Sequence, residues 1–429
     1  MSGTIVDNNA SSLSIPTDIA GHMLDLDDDD DLEVFSKDTR EGSSFNASMQ
    51  TSPGSMINQY KFEEEEEDID TKDIFVTVDD PESYVTAIET FITYRVVTKT
   101  TRSEFDSSEF EVRRRYQDFL WLKARLEEAH PTLIVHPLPE KFVMKGMVER
   151  FNEDFIETRR RALNRFLNRI ADHPIFSSTE DFKIFLTADV GALTSHKKQG
   201  PGFLSRMGES VRGLAATVRG VRNRPEEFTA MQEYVEAFGQ HISSLDKVTQ
   251  RIVREQKEYL EDLKECVPTY TLWSNSEEEL AEPLRGMASC LERCYKETEE
   301  QVKELNDNLN PTLHEYVLCT ETLKTVLRRR DIIQAEFEAK TEALLAKHAD
   351  REAIREDLYK MEDRLEWANN ALKSDWTRWK KVMRTDLRSA FMDTAEKNVN
   401  YYEKCLAVWE TFLLSQRTDA EGTQVLDSS

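Results

Sequence analysis

The pattern of apolar and polar positions changes twice along this chain, and its first ordered part has the rhythm of strands. Residues 73–78, 91–98 and 110–112 are rich in β-branched and aromatic side chains. Polar turn signals separate them, beginning with Asp79–Pro81. Short β-rich runs bounded by such turns are typical of antiparallel strands. The pattern predicts a three-stranded antiparallel sheet.

The spacing then becomes helical. Phe119, Leu122 and Leu126 recur every three or four residues, and a second stripe runs from Phe155 to Ile170. A proline-punctuated loop over residues 131–139 separates the two stripes. Strands followed by helices predict an α+β domain.

Beyond residue 226 the apolar positions alternate in steps of three and four, which is the seam of helices packed along their length. The clearest run is Ile354, Leu358, Met361, Leu365, Ala368 and Leu372, and this seam continues through Trp376, Trp379, Met383, Leu387, Phe391, Val399, Tyr402, Leu406, Trp409 and Leu413. Similar stripes over residues 228–245 and 280–309 predict two earlier helices, so we expect three long antiparallel helices. Pro268 should end the first helix and Pro311 should kink the second, because proline lacks the N–H that the preceding turn needs.

Charge is distributed unevenly. The chain of 429 residues has a formal net charge of −26, which by itself argues against an acidic partner surface. More than half of that charge lies in residues 1–70, which hold 18 acidic and 3 basic side chains and are predicted to be a disordered acidic tail. Residues 200–225 are basic, with five arginines and one glutamate.

This basic stretch has one apolar helical face and lies between the two predicted domains. Its apolar residues are Phe203, Leu204, Met207, Val211, Leu214 and Val218. A basic amphipathic helix of this kind lies on anionic lipid. The alternative is a linker helix that docks between the domains.

Three further basic clusters bear on binding. They are Arg113–Arg115 at the end of a strand, Lys141 after the proline loop, and Arg159–Arg161 on the second helix. A guanidinium grips phosphate through two hydrogen bonds, and Tyr116 offers a ring beside it. Cations from three segments suit a polyphosphorylated head group. The alternative for each cluster alone is a solvated face.

Other classes of protein are disfavoured. The sequence contains no phosphate-binding glycine loop, zinc-protease motif or nucleophile elbow, so we expect neither an enzyme nor a metal or cofactor. Five scattered cysteines fit a reducing compartment. No apolar run reaches the roughly 20 residues of a membrane span, and no signal peptide is expected.

Together, these segments resemble the PX-BAR sorting nexins, and most closely the group that contains sorting nexins seven and thirty. The motif Arg114-Arg115-Tyr116-x-x-Phe119, the proline loop with Lys141 and the helix through Arg159 resemble a PX domain, and the long helices resemble a BAR domain. The expected organisation is an acidic tail (1–70), a PX domain (71–190), an amphipathic linker helix (200–224), a BAR domain (226–416) and a flexible tail (417–429).

The resemblance implies roles for five residues. Arg115 would hold the 3-phosphate of phosphatidylinositol 3-phosphate, and Tyr116 would pack on the inositol ring. Gln117 would add a polar contact, Lys141 would meet the 1-phosphate, and Arg159 would bind the 4- and 5-hydroxyls. Arg113, Arg114, Arg160 and Arg161 are expected to provide peripheral charge or fold surface.

The resemblance also implies a cytoplasmic protein on the cytoplasmic face of early endosome membranes. It would bind phosphatidylinositol 3-phosphate, sense or induce curvature, and act in endosomal sorting, recycling and autophagy. Its BAR domain would dimerise, with sorting nexin four as the partner that the resemblance implies; the coiled-coil seam alone does not choose between a homodimer and a heterodimer. The alternative function is a coiled-coil scaffold whose lipid pocket is idle.

Overall fold

The structure is a computed structural model that describes residues 72–85, 90–140, 153–199, 221–346 and 351–426. The chain divides into two compact units. The first contains Met1–Lys72 and Glu82–Thr93, and the second contains Asp73–Pro81 and Tyr94–Ser429. Most of the predicted linker helix and all of the acidic tail to residue 70 lie outside the described residues.

The sheet has three strands in the order β1-β2-β3: Ile74–Val85, Thr90–Thr100 and Glu109–Arg115. The predicted turn at Asp79–Pro81 is wrong, because β1 continues through it. Asp80 adopts a φ of 45°, in the left-handed region that few side chains favour. Arg113 on β3 donates a hydrogen bond of 3.0 Å to the Asp80 carbonyl and contacts its carboxylate, which stabilises this local conformation.

In the first unit, the described strand residues lie at the ends of β1 and β2. The rings of Tyr84 and Phe91 stack there with centroids 5.7 Å apart and planes 13° from parallel. The Tyr84 hydroxyl donates to Glu82 at 2.6 Å.

Helices follow the sheet in the second unit. They are α1 (Tyr116–Ala129), α2 (Glu153–Ala171), α3 (Glu180–Thr187) and α4 (Val190–Gln199). Helix α2 covers the edge of β1: Asn164 accepts a hydrogen bond from the Val78 backbone N–H at 2.8 Å, and Asn168 donates to the Val76 carbonyl at 2.9 Å. Such cover satisfies an edge strand that would otherwise pair with other chains.

The remaining described chain is a bundle of long helices. They are α5 (Glu226–Ser274), α6 (Ala281–Glu304), α7 (Asn310–Ala346) and α8 (Arg351–Leu426). The predicted three-helix arrangement is confirmed, with α6 and α7 together forming the second helix. No described helix has a stretch apolar enough to cross a bilayer.

The predictions for the two prolines have different outcomes. Helix α5 continues for six residues beyond Pro268, so the expectation that Pro268 ends it is wrong. A proline removes one backbone hydrogen bond, which a helix of 49 residues tolerates when neighbouring helices hold it. Before Pro311, a π-helical turn over Leu305–Leu309 separates α6 from α7. This turn lies where we expected a kink.

Packing divides the bundle into two segments. We call residues 228–242, 309–333 and 368–387 the proximal segment, and residues 245–273, 281–304 and 391–414 the distal segment. The proximal segment encloses a continuous core that includes Phe228, Tyr316 and Trp379. The expectation that Trp376 and Trp379 are seam residues is confirmed, because both are buried.

Candidate functional site

The candidate head-group site begins at the junction of β3 and α1. Arg115 is the last residue of β3 and Tyr116 is the first of α1. The Asp118 carboxylate accepts the Arg115 backbone N–H at 2.7 Å, and Lys197 of α4 contacts the same carboxylate. An acidic side chain in the first turn satisfies an otherwise unpaired N–H and favours helix initiation. The junction thereby fixes the backbone from which both predicted site residues project.

The proline loop and α2 meet Tyr116. Its hydroxyl donates to the Pro139 carbonyl at 2.5 Å. The Arg159 guanidinium lies over the Tyr116 ring, 4.3 Å from its centroid, and donates to the Glu140 carbonyl at 3.3 Å. A cation over an aromatic face is attracted by the ring's quadrupole. Three segments that are remote in sequence thus converge on Tyr116.

Two further rings belong to this arrangement and were not predicted. Phe155 lies one helical turn before Arg159, whose guanidinium is 4.5 Å from its ring centroid. Tyr94 on β2 is only 1% exposed; burial raises its pKa to about 12, while the nearby charge of Arg159 opposes that rise. The four-residue spacing on α2 could have identified Phe155. No local signal marks Tyr94, which reads as an ordinary strand residue.

The other predicted site residues are either exposed or outside the described residues. Gln117 is exposed on the first turn of α1. Lys141 lies outside the described residues, as do the predicted membrane-inserting residues Phe203, Leu204, Met207, Val211, Leu214 and Val218. The structure therefore brings together Tyr116 and Arg159, with Arg115 next to Tyr116 in the chain, and the roles of all the predicted contacts stay predictions.

The neighbouring arginines have structural partners. Arg114 is 1% exposed and donates to the Phe185 carbonyl at 2.8 Å and to the Ala188 carbonyl at 2.5 Å, so the expectation of a surface role for it is wrong. Burial lowers the pKa of Arg114 to about 10, against the opposing charges of Asp118 and Asp189. The residue ties β3 to the end of α3.

Arg160 and Arg161 share a carboxylate. Both contact Glu157, at 2.7 and 2.9 Å, and Arg161 also pairs with Asp307 at 2.9 Å. The hydrogen bond from Arg160 is the main cause that lowers the pKa of Glu157 to about 2. Of the triple arginine run, Arg159 is the residue that stacks on Tyr116.

Among the described residues, no group of three or more His, Cys, Asp or Glu side chains could hold a metal ion. The cations that surround Tyr116 are suited instead to an anionic ligand with a ring. Carbonyls of Pro139 and Glu140 fix the orientation of the site residues rather than supplying catalytic groups.

Comparison with known proteins extends these observations. Residues 102–189 match the PX domain family. The chain is 62% identical to sorting nexin-7 of Mus musculus over 374 residues, which cover 87% of this chain and 96% of that protein. It is 46% identical to sorting nexin-30 of Homo sapiens over 384 residues, or 89% of this chain and 86% of that protein.

A solved structure also matches most of the chain. It is described as the cryo-EM structure of the SNX-BAR Mvp1 tetramer, and it covers 79% of this chain and 99% of its own. The TM-score is 0.54 at 18% sequence identity, so this likeness concerns the fold. It includes both the sheet-containing domain and the long helices.

Proposed function

The chain belongs to the sorting nexin family, and on that premise we propose that it is a peripheral membrane protein that binds phosphatidylinositol 3-phosphate. A PX domain followed by a BAR-like bundle indicates membrane binding and trafficking. The observation that carries the finer proposal is the contact of Arg159 with the Tyr116 ring beside the Pro139–Glu140 backbone, directly after Arg115 in the chain.

Each group has a role that suits its position. Arg115 holds the 3-phosphate, for which a guanidinium offers two parallel donors. Tyr116 packs on the inositol ring, and Arg159 reaches the 4- and 5-hydroxyls. Gln117 adds a polar contact, and Lys141 meets the 1-phosphate near the bilayer. In this proposal the protein makes and breaks no bond and acts as a non-enzymatic adaptor.

The bundle supplies the second part of the proposal. The distal segment exposes large apolar side chains on α5 and α8, among them Tyr259, Tyr402 and Leu406. Contiguous exposed apolar surface is typical of a protein interface. We assign it to a BAR-type dimer, with sorting nexin four as the proposed partner. Two head-group sites in one dimer would bind a membrane far more tightly than one.

A basic amphipathic helix from Phe203 to Val218 would insert its apolar face into the outer leaflet. We place the protein on the cytoplasmic face of early endosomes, where it senses or induces curvature. Endosomal sorting, recycling and autophagy are the proposed processes. Glutamate at both Phe203 and Met207 should reduce liposome binding and tubulation; unchanged tubulation would remove the helix from the proposal.

Liposome flotation tests the head-group site. Vesicles with phosphatidylinositol 3-phosphate should carry the wild-type chain to the top of the gradient, and Arg115→Ala should lower the bound fraction at least tenfold. Arg113→Ala is the matched control. It removes an equal charge two residues before Arg115, from a side chain that is paired with Asp80. It should change binding less than twofold.

The alternative is a protein-interaction scaffold with an idle lipid pocket. Equal flotation with and without the 3-phosphate, or equal loss in the two arginine variants, would favour that alternative. In the second case the attraction would be general electrostatics, and it should weaken steeply as salt is added.

A further inference from the structure

The loop before the head-group site is anchored at one end to the bundle. We call residues 134–140 the strap. The Ile134 backbone N–H donates to the Asp375 carboxylate of α8 at 2.6 Å, and His136 Nδ1 lies 3.3 Å from Glu315 of α7. The Ile134 side chain is part of the proximal core. The start of the strap is therefore held by residues far along the chain.

The other end of the strap forms the head-group site. The Pro139 carbonyl accepts the Tyr116 hydroxyl, and the Glu140 carbonyl accepts a hydrogen bond from Arg159. Pro139 lies three positions after His136 in the sequence. At about 3.5 Å per residue, these three steps span about 10 Å of chain. A displacement at the anchored end is carried directly to the carbonyls that orient Tyr116 and Arg159.

A cavity of about 310 Å³ lies beside the middle of the strap. Its walls include Pro137, Leu138 and Pro139 of the strap, Phe166 of α2, and Pro311 and Leu318 around α7. Close packing normally holds a buried segment in place from every side. The cavity leaves this part of the strap without full support on one side, so the contacts at its two ends fix its position.

Asp375 is the best placed of the anchors. It is 4% exposed, and its second oxygen lies 3.0 Å from Nε2 of His173. His173 Nδ1 accepts the backbone N–H groups of Ile175 and Phe176, each at 3.1 Å, so its proton is on Nε2 and points at the carboxylate. One carboxylate thus joins the strap, the turn after α2 and helix α8.

We propose that Asp375 is a positioning residue for the head-group site, acting through the strap on Tyr116 and Arg159. Phosphoinositide affinity in the PX domain then depends on a side chain of the bundle. By thermodynamic linkage, head-group binding must stabilise the anchored strap to the same extent that the anchor strengthens binding. This inference depends on the proposed function, because it concerns the same site.

Calorimetric titration of the full chain with water-soluble dibutanoyl phosphatidylinositol 3-phosphate tests it without a membrane. Asp375→Ala should weaken binding about tenfold. Asp386→Ala is the matched control: Asp386 also lies on α8 and contacts the PX domain, through Arg169, but its carboxylate accepts from Arg169 and Tyr316 rather than from the strap. It should change the dissociation constant less than twofold.

A double-mutant cycle separates positioning from general destabilisation. Tyr116→Phe removes the hydroxyl that binds the strap while keeping the ring. If Asp375 acts through the strap, the total loss of affinity in the double variant should be clearly smaller than the product of the two single losses. Independent, multiplicative losses would overturn the proposal even if both single variants bind poorly.

The outcomes distinguish the two proposals. Wild type that does not bind the soluble lipid refutes the proposed function itself. Wild type that binds, with Asp375→Ala unaffected or Asp386→Ala equally impaired, refutes the positioning role alone. If the alanine variant does not fold by circular dichroism, Asp375→Asn takes its place. The Asp375 carboxylate accepts from Ile134, His173 and Arg378, and an amide presents N–H to at least one of these donors, so a loss of at least threefold is expected.

Discussion

The proximal and distal segments of the bundle share helices α5 and α8 but bury their large apolar side chains to different degrees. In the proximal segment, Trp379 is 0% exposed and its ring meets Phe238 and Tyr316 edge to face. In the distal segment, Tyr402 is 65% exposed and Leu406 58%. Distal side chains also form smaller clusters, such as Cys290, Cys294 and Val408.

This difference shows that one chain completes only part of its own core. The proximal segment is closed partly by the PX domain, since Ile134 packs into it. The distal segment has no such cover within the described chain, and apolar surface in that position stabilises an association. The two segments should therefore respond to substitution in different ways, in folding for one and in assembly for the other.

The largest effect should come from the proximal core. Trp379→Ala removes a fully buried indole and should lower the free energy of unfolding by about 3–5 kcal/mol. Denaturant titration followed by circular dichroism measures the loss. Trp409→Ala, in the distal segment where the indole is 36% exposed, should cost about 1 kcal/mol or less at the same low protein concentration. Equal losses would erase the distinction between the segments.

The sequence pattern predicts the long helices of both segments, but it does not predict that the seam is buried in one segment and exposed in the other. The three-four spacing identified Trp376, Trp379 and Leu406 alike as seam positions, because periodicity reports a face and not what covers it. Pro268 was expected to end α5 for a local reason, and packing along the rest of the helix outweighed it. Only the folded structure separates the covered seam from the uncovered one.

The candidate site was predictable to a similar extent. Arg115, Tyr116 and Arg159 follow from a spaced motif with a matching order of elements. The orienting carbonyls of Pro139 and Glu140 carry no side-chain signal, and Asp375 lies 241 residues from the backbone N–H that it accepts. Contacts of that range depend on how complete domains pack, which local patterns do not encode.

The second effect concerns assembly. Replacing Tyr402 and Leu406 with glutamate puts two charges on the exposed distal face and should raise the dimer dissociation constant at least 100-fold, or about 2.7 kcal/mol. Sedimentation equilibrium measures it, and circular dichroism should be unchanged. Val190→Glu alters an equally exposed apolar residue on α4 and should leave the dimer intact. A variant that remains dimeric would place the interface elsewhere.

The smallest expected effect is a pH dependence of the unfolding free energy, which the distal segment should not share. Burial lowers the pKa of His136 and of His173, although Glu315 and Asp375 oppose this. The unfolded chain therefore binds protons more readily near pH 6.5 than the folded chain does. Their contribution to stability is fully present above about pH 6.5 and is lost as pH falls, at up to about 1.4 kcal/mol per pH unit for each histidine.

The facing carboxylates do not reverse that sign in the same range. Burial raises the pKa of Glu315, but the hydrogen bond from His136 and the charges of Arg169 and Arg165 outweigh it and bring the value to about 2. The distal segment contains no histidine. Unfolding free energy should thus fall between pH 7.5 and 5.5, while the dimer dissociation constant stays within about threefold. The control is His241→Asn, which alters an exposed histidine and should keep the wild-type slope of unfolding free energy against pH. If that slope disappears in the variant, the pH dependence arises at the surface and not at the contact between the PX domain and the bundle.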